Sequence, residues 1–374
     1  MSSNLSVILF TPTLGPGGIP RMRLNLIPAL KKLGFKVSLM LNRREGPLMS
    51  LIPDDLEVIS LDAQKSTLAI PRLARELRRR QPDILLASPI RSGLAALGAK
   101  RLGLLRGVKT KIVSSIHNPM SEEADLPTTW REPLIPMFSH YMLPRADAIV
   151  AVSKGVADDV AETARIDRSL ISVVYNPVLN YNFEERLAEG IDHPWFAADK
   201  KIPVVIGVGR LAPQKDFPVL IKAFAEVRRQ RACRLAFLGD GPDRESLTKL
   251  ANESGYGEDI VFLGFKQNPL PYMKAASLFA MSSIHEGCPN ALVEAIGCGT
   301  PVVSTDCRHG PREILNAGQY GPLVPVGDAS ALAASIMRTL DNPISSAVLR
   351  ARAADFNADK IAKDYASVFE KALD

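Results

Sequence analysis

Two glutamates, Glu286 and Glu294, stand with seven residues between them in the run His285-Glu286-Gly287-Cys288-Pro289-Asn290-Ala291-Leu292-Val293-Glu294-Ala295. Asn290 follows a proline and opens a helix-forming stretch that continues to Ile296. It reads as the N-cap of a helix, with Glu294 one turn inside and Glu286 in the loop before it. The first-turn amides of such a helix lack intrahelical partners and lie at the positive end of its dipole, which suits a diphosphate. A carboxylate accepts hydrogen bonds from hydroxyls, so Glu286 and Glu294, on either side of that diphosphate, are placed for a sugar and a ribose. The stretch reads as a clamp for a nucleotide-sugar. Spacing alone fits two solvated glutamates on a surface helix better, and the surroundings decide.

Those surroundings carry cations and glycine turns. Gly207-Val208-Gly209-Arg210-Leu211-Ala212-Pro213-Gln214-Lys215-Asp216 leaves a short apolar run and leads into a helix expected to begin near Asp216. Arg210 and Lys215 are thereby placed to neutralise a departing diphosphate, work that other enzymes give to a divalent metal. Solvated loop cations are the alternative. Leu238-Gly239-Asp240-Gly241-Pro242 and Phe262-Leu263-Gly264-Phe265 are further strand-end turns, the second suited to wall a nucleobase through Phe265. Ser304 to Ile314 is another strand-to-helix turn near the Glu286 loop, its role open. Near the start, Thr11-Pro12-Thr13-Leu14-Gly15-Pro16-Gly17-Gly18 precedes a helix expected from about Arg21. That glycine loop matches neither a phosphate-binding P-loop nor a full dinucleotide fingerprint, and simple chain reversal explains it as well.

The elements that must hold these residues alternate. Apolar runs at Leu5–Phe10, Lys36–Leu41, Leu56–Leu61, Asp83–Ala87, Lys111–Ile116 and Asp147–Val152 are separated by helical-period segments such as Ile70–Arg80 and Lys154–Thr163. After Val173-Val174-Tyr175-Asn176-Pro177-Val178 a polar stretch, Asn180–Lys201, interrupts the pattern. A second series then runs through Pro203–Val208, Arg234–Leu238, Asp259–Leu263, Ser277–Met281 and Pro301–Ser304. Two doubly wound parallel sheets follow from this, with a hinge near Asn176–Val178, as 374 residues also suggest.

Taken in order, Gly-Arg-Leu with its following Lys-Asp, Gly-Asp-Gly-Pro, Phe-Leu-Gly-Phe, the paired glutamates, Gly-Thr-Pro-Val-Val (299–303), Gly-Pro-Arg-Glu-Ile (310–314) and Val-Pro-Val-Gly-Asp (324–328) resemble the retaining glycosyltransferases of family 4. The match covers nearly all of 203–328. Toward the N-terminus it thins to the glycine loop, Ser115-Ile116-His117-Asn118, Val150-Ala151-Val152-Ser153 and Asn176-Pro177. The resemblance implies an α/β GT-B fold: two Rossmann-like domains facing across a cleft, an acceptor domain over 1–178, a donor domain over 179–358, and a last helix in 359–374, at about Lys360–Ala372, that crosses back. It assigns Arg210 and Lys215 to the diphosphate, Glu294 to the ribose, and Glu286, with the loop from Gly287 through Cys288, Pro289, Asn290, Ala291 and Leu292, to the donor sugar. His117 corresponds to the family's active-site histidine, and Gly17 and Gly18 to its glycine loop, although Ile19-Pro20-Arg21 stands where many members place a Glu. The mechanism implied is retention by front-face attack, with the leaving diphosphate helping to take the acceptor's proton.

The expectation is a cytoplasmic hexosyl- or N-acetylhexosaminyltransferase using a nucleotide-sugar, UDP the expected carrier, and a glycan or lipid-linked acceptor of cell-surface polysaccharide or glycolipid synthesis. No metal or other cofactor is expected, since no Asp-x-Asp motif is present. A nucleotide-sugar epimerase or hydrolase, or a silent binding protein, are the alternatives. Residues 1–180 hold 24 Lys+Arg against 16 Asp+Glu, a balance of +8, and 181–374 hold 22 against 24, or −2. With no nucleic-acid-binding motif, a basic N-terminal half points to phosphate-bearing substrates or an anionic membrane. Two stretches stand out there: Arg72, Arg75, Arg78, Arg79 and Arg80, and Arg91 to Lys111 with Leu94, Leu97, Leu102, Leu104 and Leu105 interleaved. The four cysteines lack paired spacing and read as reduced, gap-filling thiols. No apolar run reaches membrane-span length, and no secretory leader is evident in Met1–Ser6.

Overall fold

The computed structural model describes residues 4–15, 17–125, 135–197, 199 and 201–374. Pro16 of the glycine loop lies outside them. The chain forms two compact units, one of residues 1–180 and 357–374, the other of 181–356.

Unit 1 carries a seven-stranded sheet: β1 (Ser6–Thr11), β2 (Lys36–Leu41), β3 (Glu57–Ser60), β4 (Ile84–Ala87), β5 (Lys111–Ile116), β6 (Ala148–Ala151) and β7 (Ile171–Val173). All pairings are parallel and the order is β3-β2-β1-β4-β5-β6-β7. Its strands are almost wholly buried because crossover helices cover both faces, which is why they read as continuous apolar runs. The Gly18–Lys32 helix begins three residues before Arg21. Pro20 falls in its first turn, where a missing N–H breaks no hydrogen bond, so this proline extends the helix where it seems to stop it. The last helix, Ala358–Leu373, buries Ile361, Ala362, Tyr365, Val368, Phe369 and Ala372. That spacing is one helical face, and it completes the unit 1 core, with Phe369 edge-on to Phe35 at 5.8 Å.

Unit 2 repeats the plan with β8 (Val204–Val208), β9 (Arg234–Leu238), β10 (Ile260–Phe262), β11 (Leu278–Met281), β12 (Val302–Thr305) and β13 (Leu323–Val324), ordered β10-β9-β8-β11-β12-β13. β7 and β13, three and two residues long, are too short to announce themselves by pattern. In each sheet the strand order reverses once, between β1 and β4 and between β8 and β11. The carboxyl ends of those strand pairs are where ligands bind in such sheets.

The sequence leaves two readings of 91–111, leucines beside a basic surface or leucines packed on the sheet, and the packing favours the second. Leu97 and Leu105 are buried, Leu94 and Leu104 half-buried, and Leu102 alone is exposed, because this segment covers one face of the sheet. Arg72 donates to the carbonyls of Leu61 and Asp62, Arg79 and Arg80 pair with Glu76, and Lys100 pairs with Asp147. Exposed apolar side chains gather instead on the Ile135–Met142 helix, where Met137, Phe138 and Tyr141 face solvent. No helix among the described residues is long and apolar enough to cross a membrane. All four cysteines are buried and unbridged, and burial pushes the Cys233 thiol up to about 11 and that of Cys307 to about 12.

Candidate active site

The unit 2 site is assembled at the β8/β11 reversal. Arg210 follows the end of β8, exposed and with no ion pair among the described residues. Five residues on, a single 3-10 turn, Pro213–Lys215, turns the chain into the Phe217–Gln230 helix, with Asp216 between them in the left-handed region. That turn is fastened to the end of β11. The Ser282 hydroxyl donates to the Lys215 carbonyl at 2.7 Å, the Ile284 amide to the Gln214 carbonyl at 2.9 Å, and the Gln214 side chain to the His285 carbonyl at 2.9 Å. Lys215 is thus carried to Glu286, and the ammonium and carboxylate form an ion pair. Both are largely out of water, with side-chain exposures of 18% and 8%. The same Glu286 oxygen accepts from the Ser283 hydroxyl at 2.7 Å. Glu286 therefore sits at the meeting point of β8 and β11 with its direction fixed by two donors.

The glycine turns allow this convergence. A Cβ on Gly239 would come within 1.8 Å of the Gly209 carbonyl oxygen, and Gly239 also has φ +135°, so the Gly-Asp-Gly turn lies directly on the Gly-Arg-Leu backbone. Phe265 beyond β10 is partly exposed, beside Gly264, whose carbonyl takes the Gly239 amide at 2.9 Å.

The helix after the clamp loop spans Asn290–Cys298. Its N-cap position is occupied by Pro289, in extended conformation and without a side-chain cap, so Asn290 is the first helical residue and not the cap expected from sequence. The reason is local: Leu292 and Val293 amides both turn back to the Pro289 carbonyl, at 3.0 and 3.3 Å, starting the helix one residue earlier. Gly287, Cys288, Pro289 and Leu292 are buried, while Asn290 and Ala291 are half-exposed. Glu294 lies in the second turn, 8% exposed.

What the sequence left without a role, the Ser304–Ile314 turn, is the platform under this loop. His285 and Arg308 form a parallel bridge, and the Thr305 hydroxyl donates to the Ser283 carbonyl at 2.7 Å. Gly310 has φ +88°, and a Cβ there would lie 2.5 Å from Pro289 Cδ and 3.0 Å from the Gly287 carbonyl oxygen. Gly310→Ala is therefore expected to push the 287–289 loop off its seat. Donor affinity should fall at least about tenfold, while the thermal midpoint drops only by the few degrees that one strained residue costs. Calorimetric titration with the nucleoside diphosphate, beside a melting curve, checks this; unchanged affinity would detach the turn from the site.

In unit 1, His117 directly follows β5 and is 5% exposed. Its Nε2 is 3.0 Å from the Ser115 hydroxyl and its Nδ1 has no hydrogen-bond partner among the described residues. Burial, and secondarily the charge of Arg23, hold its pKa well below the usual histidine value. Arg23, which sequence reasoning passed over, is wholly buried in the Gly18–Lys32 helix and donates from Nε to the Ser88 hydroxyl at 2.8 Å, past the end of β4. Gly17 and Gly18 are exposed at the start of that helix, Gly17 as its N-cap. Among the described residues no three His, Cys, Asp or Glu side chains are grouped as a metal site would need.

Two parallel doubly wound sheets, each with a single reversal of strand order, are the architecture of the GT-B fold. The family profile described as glycosyl transferases group 1 matches residues 191–356, and that described as glycosyltransferase family 4 matches 16–178. The chain is a GT-B glycosyltransferase of the family 4 type. It is 28% identical over 95% of its length, and 97% of the relative's, to the Campylobacter jejuni N-acetylgalactosamine-N,N'-diacetylbacillosaminyl-diphospho-undecaprenol 4-alpha-N-acetylgalactosaminyltransferase. It is 27% identical to the Rhizobium meliloti lipopolysaccharide core biosynthesis glycosyltransferase LpsE, covering 91% of this chain and 89% of that one. Among solved structures, Anabaena HepE in complex with UDP-glucose superposes with a TM-score of 0.78 at 18% identity, over 98% of this chain and 99% of that one.

Proposed function

We propose that the protein is a retaining, metal-independent glycosyltransferase that moves a hexose or N-acetylhexosamine from UDP to a lipid-linked or glycan acceptor in the synthesis of a cell-surface glycolipid or polysaccharide. The observation that carries this reading is the joining of Lys215 to Glu286 at the β8/β11 reversal, with Arg210 one strand end away. As the bond to the sugar breaks, negative charge grows on the diphosphate, and fixed cations in a poorly hydrated site stabilise that charge more than they stabilise the bound donor. Lys215 turns from Glu286 toward the phosphate, which releases the carboxylate to accept from sugar hydroxyls. Arg210 supplies the second charge. Glu294 takes the ribose, and His117 serves the reacting sugar.

The donor is suggested by HepE, a structure of which holds UDP-glucose, and the acceptor by relatives named for a diphospho-undecaprenol substrate and for lipopolysaccharide core synthesis. A lipid-linked acceptor also suits Met137, Phe138 and Tyr141 on the Ile135–Met142 helix of a unit whose sequence is strongly basic. Such a helix would hold the enzyme against an anionic membrane surface reversibly. The deciding assay follows UDP release from a panel of UDP-sugars in EDTA, with and without polyprenyl-diphosphate-linked acceptor in anionic vesicles. Acceptor-dependent release in EDTA is expected, with co-sedimentation that fades at high salt. Dependence on added magnesium or manganese would refute metal independence, equal release without acceptor would point to a hydrolase, and failure to sediment at low salt would remove the membrane.

A further inference from the structure

We infer that Arg23 is a positioning residue: it sets the direction of a hydrogen-bond chain through Tyr365 and Ser115 that leaves His117 with its proton on Nδ1, as a donor to a ligand oxygen. The groups come from three elements of unit 1: the Gly18–Lys32 helix, the end of β5, and the last helix. Arg23 is 0% exposed, with Nε on Ser88 and no hydrogen bond from either terminal nitrogen among the described residues. The Tyr365 hydroxyl, also at 0% exposure, lies within reach of the guanidinium's charge without taking a hydrogen bond from it. It stands 3.4 Å from the Ser115 hydroxyl, which stands 3.0 Å from His117 Nε2.

Direction follows from the inventory of donors. A guanidinium carries positive charge and has no lone pair to offer, so the Tyr365 phenol proton is directed away from Arg23. The phenol proton then has one acceptor in reach, Ser115 Oγ, and the serine proton passes in turn to Nε2. Nε2 being the acceptor, the neutral ring carries its proton on Nδ1. The reverse order would aim the phenol proton at a cation and strand it in a buried place. Nδ1 is itself buried, and no group of the described residues accepts from it. A buried donor without an acceptor is a place for a ligand to supply one.

The ring also stays neutral. Arg23 faces it from the first helix and Tyr365 from the last; Asp159, on the Lys154–Ala164 helix, engages the amides of Met120 and Ser121 and the Ser121 hydroxyl. Burial and the Arg23 charge therefore act together against protonation, so His117 enters the reaction as a hydrogen-bond donor and not as a base. That its acceptor is an oxygen of the donor sugar rests on the function proposed above. The tautomer does not.

The test is long-range proton–nitrogen correlation spectroscopy on the full chain labelled with 15N-histidine, His117→Gln identifying the resonances among the five histidines. In the wild type, Nε2 should be the unprotonated nitrogen. Tyr365→Phe, which removes one oxygen and keeps the packing, should move the ring toward the Nε2–H form. It should also lower kcat about tenfold with KM for the nucleotide-sugar nearly unchanged. Arg23→Met should raise the pH at which the ring protonates by about a unit or more. A wild-type ring protonated on Nε2 would overturn the inference, as would a tautomer indifferent to Tyr365→Phe; if Arg23→Met does not fold, Tyr365→Phe decides alone. The expected tautomer in a protein that transfers no sugar would support the chain and count against the proposed function.

Discussion

Lys215→Ala is expected to lower turnover by about a hundredfold or more, equivalent to roughly 2.7 kcal/mol of transition-state stabilisation. Lys215 acts twice. Before the reaction it neutralises Glu286, which is 6% exposed and among the described residues otherwise has only the Ser283 hydroxyl to satisfy its side chain. During the reaction it meets the charge that develops on the diphosphate. Removing one partner of a buried pair strands the other, at a cost of about 3–5 kcal/mol when the survivor stays charged. The single variant should therefore lose stability as well as rate. Lys215→Ala combined with Glu286→Gln separates the two effects: stability should largely return and turnover should not. Initial rates of UDP release with melting curves for the three proteins are the measurement. A double variant recovering both would make Lys215 a structural counter-ion only.

Glu294→Ala and Glu286→Ala should fail differently. Losing Glu294 should weaken UDP itself by about ten- to a hundredfold, the worth of a charged hydrogen bond to a ribose hydroxyl. Losing Glu286 removes no contact to UDP and frees Lys215 for the phosphate, so UDP affinity should hold or rise while sugar transfer falls by at least two orders of magnitude. The Lys215–Glu286 pair makes this contrast sharper than spacing alone allows, because the two residues assigned to the donor compensate each other. Titration calorimetry with UDP on both variants, followed by turnover, is the check. Equal losses of UDP affinity would mean that the clamp is oriented otherwise.

The sequence made the strands legible because parallel strands covered on both faces must be apolar throughout, and eleven of the thirteen among the described residues were placed within a residue at either end. It also made legible the residues that follow them, since chemistry in this fold sits at carboxyl ends. What it hid has physical causes. An arginine in a helix reads as a solvated side chain, yet Arg23 points inward, a burial decided by the polar lining of Ser88, Ser115 and His117 that only the folded sheet brings together. Tyr365 and Ser115 are 250 residues apart. The Ser304–Ile314 turn looked like punctuation because its partner is backbone, and a glycine's clash surface cannot be read from its name. The leucines of 94–105 stayed open between two readings for the opposite reason, since composition does not say which side of a helix meets the sheet.

The last helix has a consequence for how the protein is made. Unit 2 is one continuous stretch, whereas unit 1 needs residues 357–374 added to 1–180, and Leu179 and Asn357 lie side by side in a parallel bridge with the Ala358 amide on the Leu179 carbonyl at 2.8 Å. Domains fold as units while the chain emerges, N-terminal segments first. Here residues 1–180 must wait for residues 357–374, made after the whole of unit 2, before their core closes over Phe35 and before Tyr365 reaches Ser115. A nascent chain, or one cut short by a premature stop after residue 356, would hold the complete unit 2 and its charged pair while lacking the final helix of unit 1. Unit 1 thus closes only after unit 2 has been made, and a chain cut at residue 356 keeps the Lys215–Glu286 pair beside an unfinished His117 site.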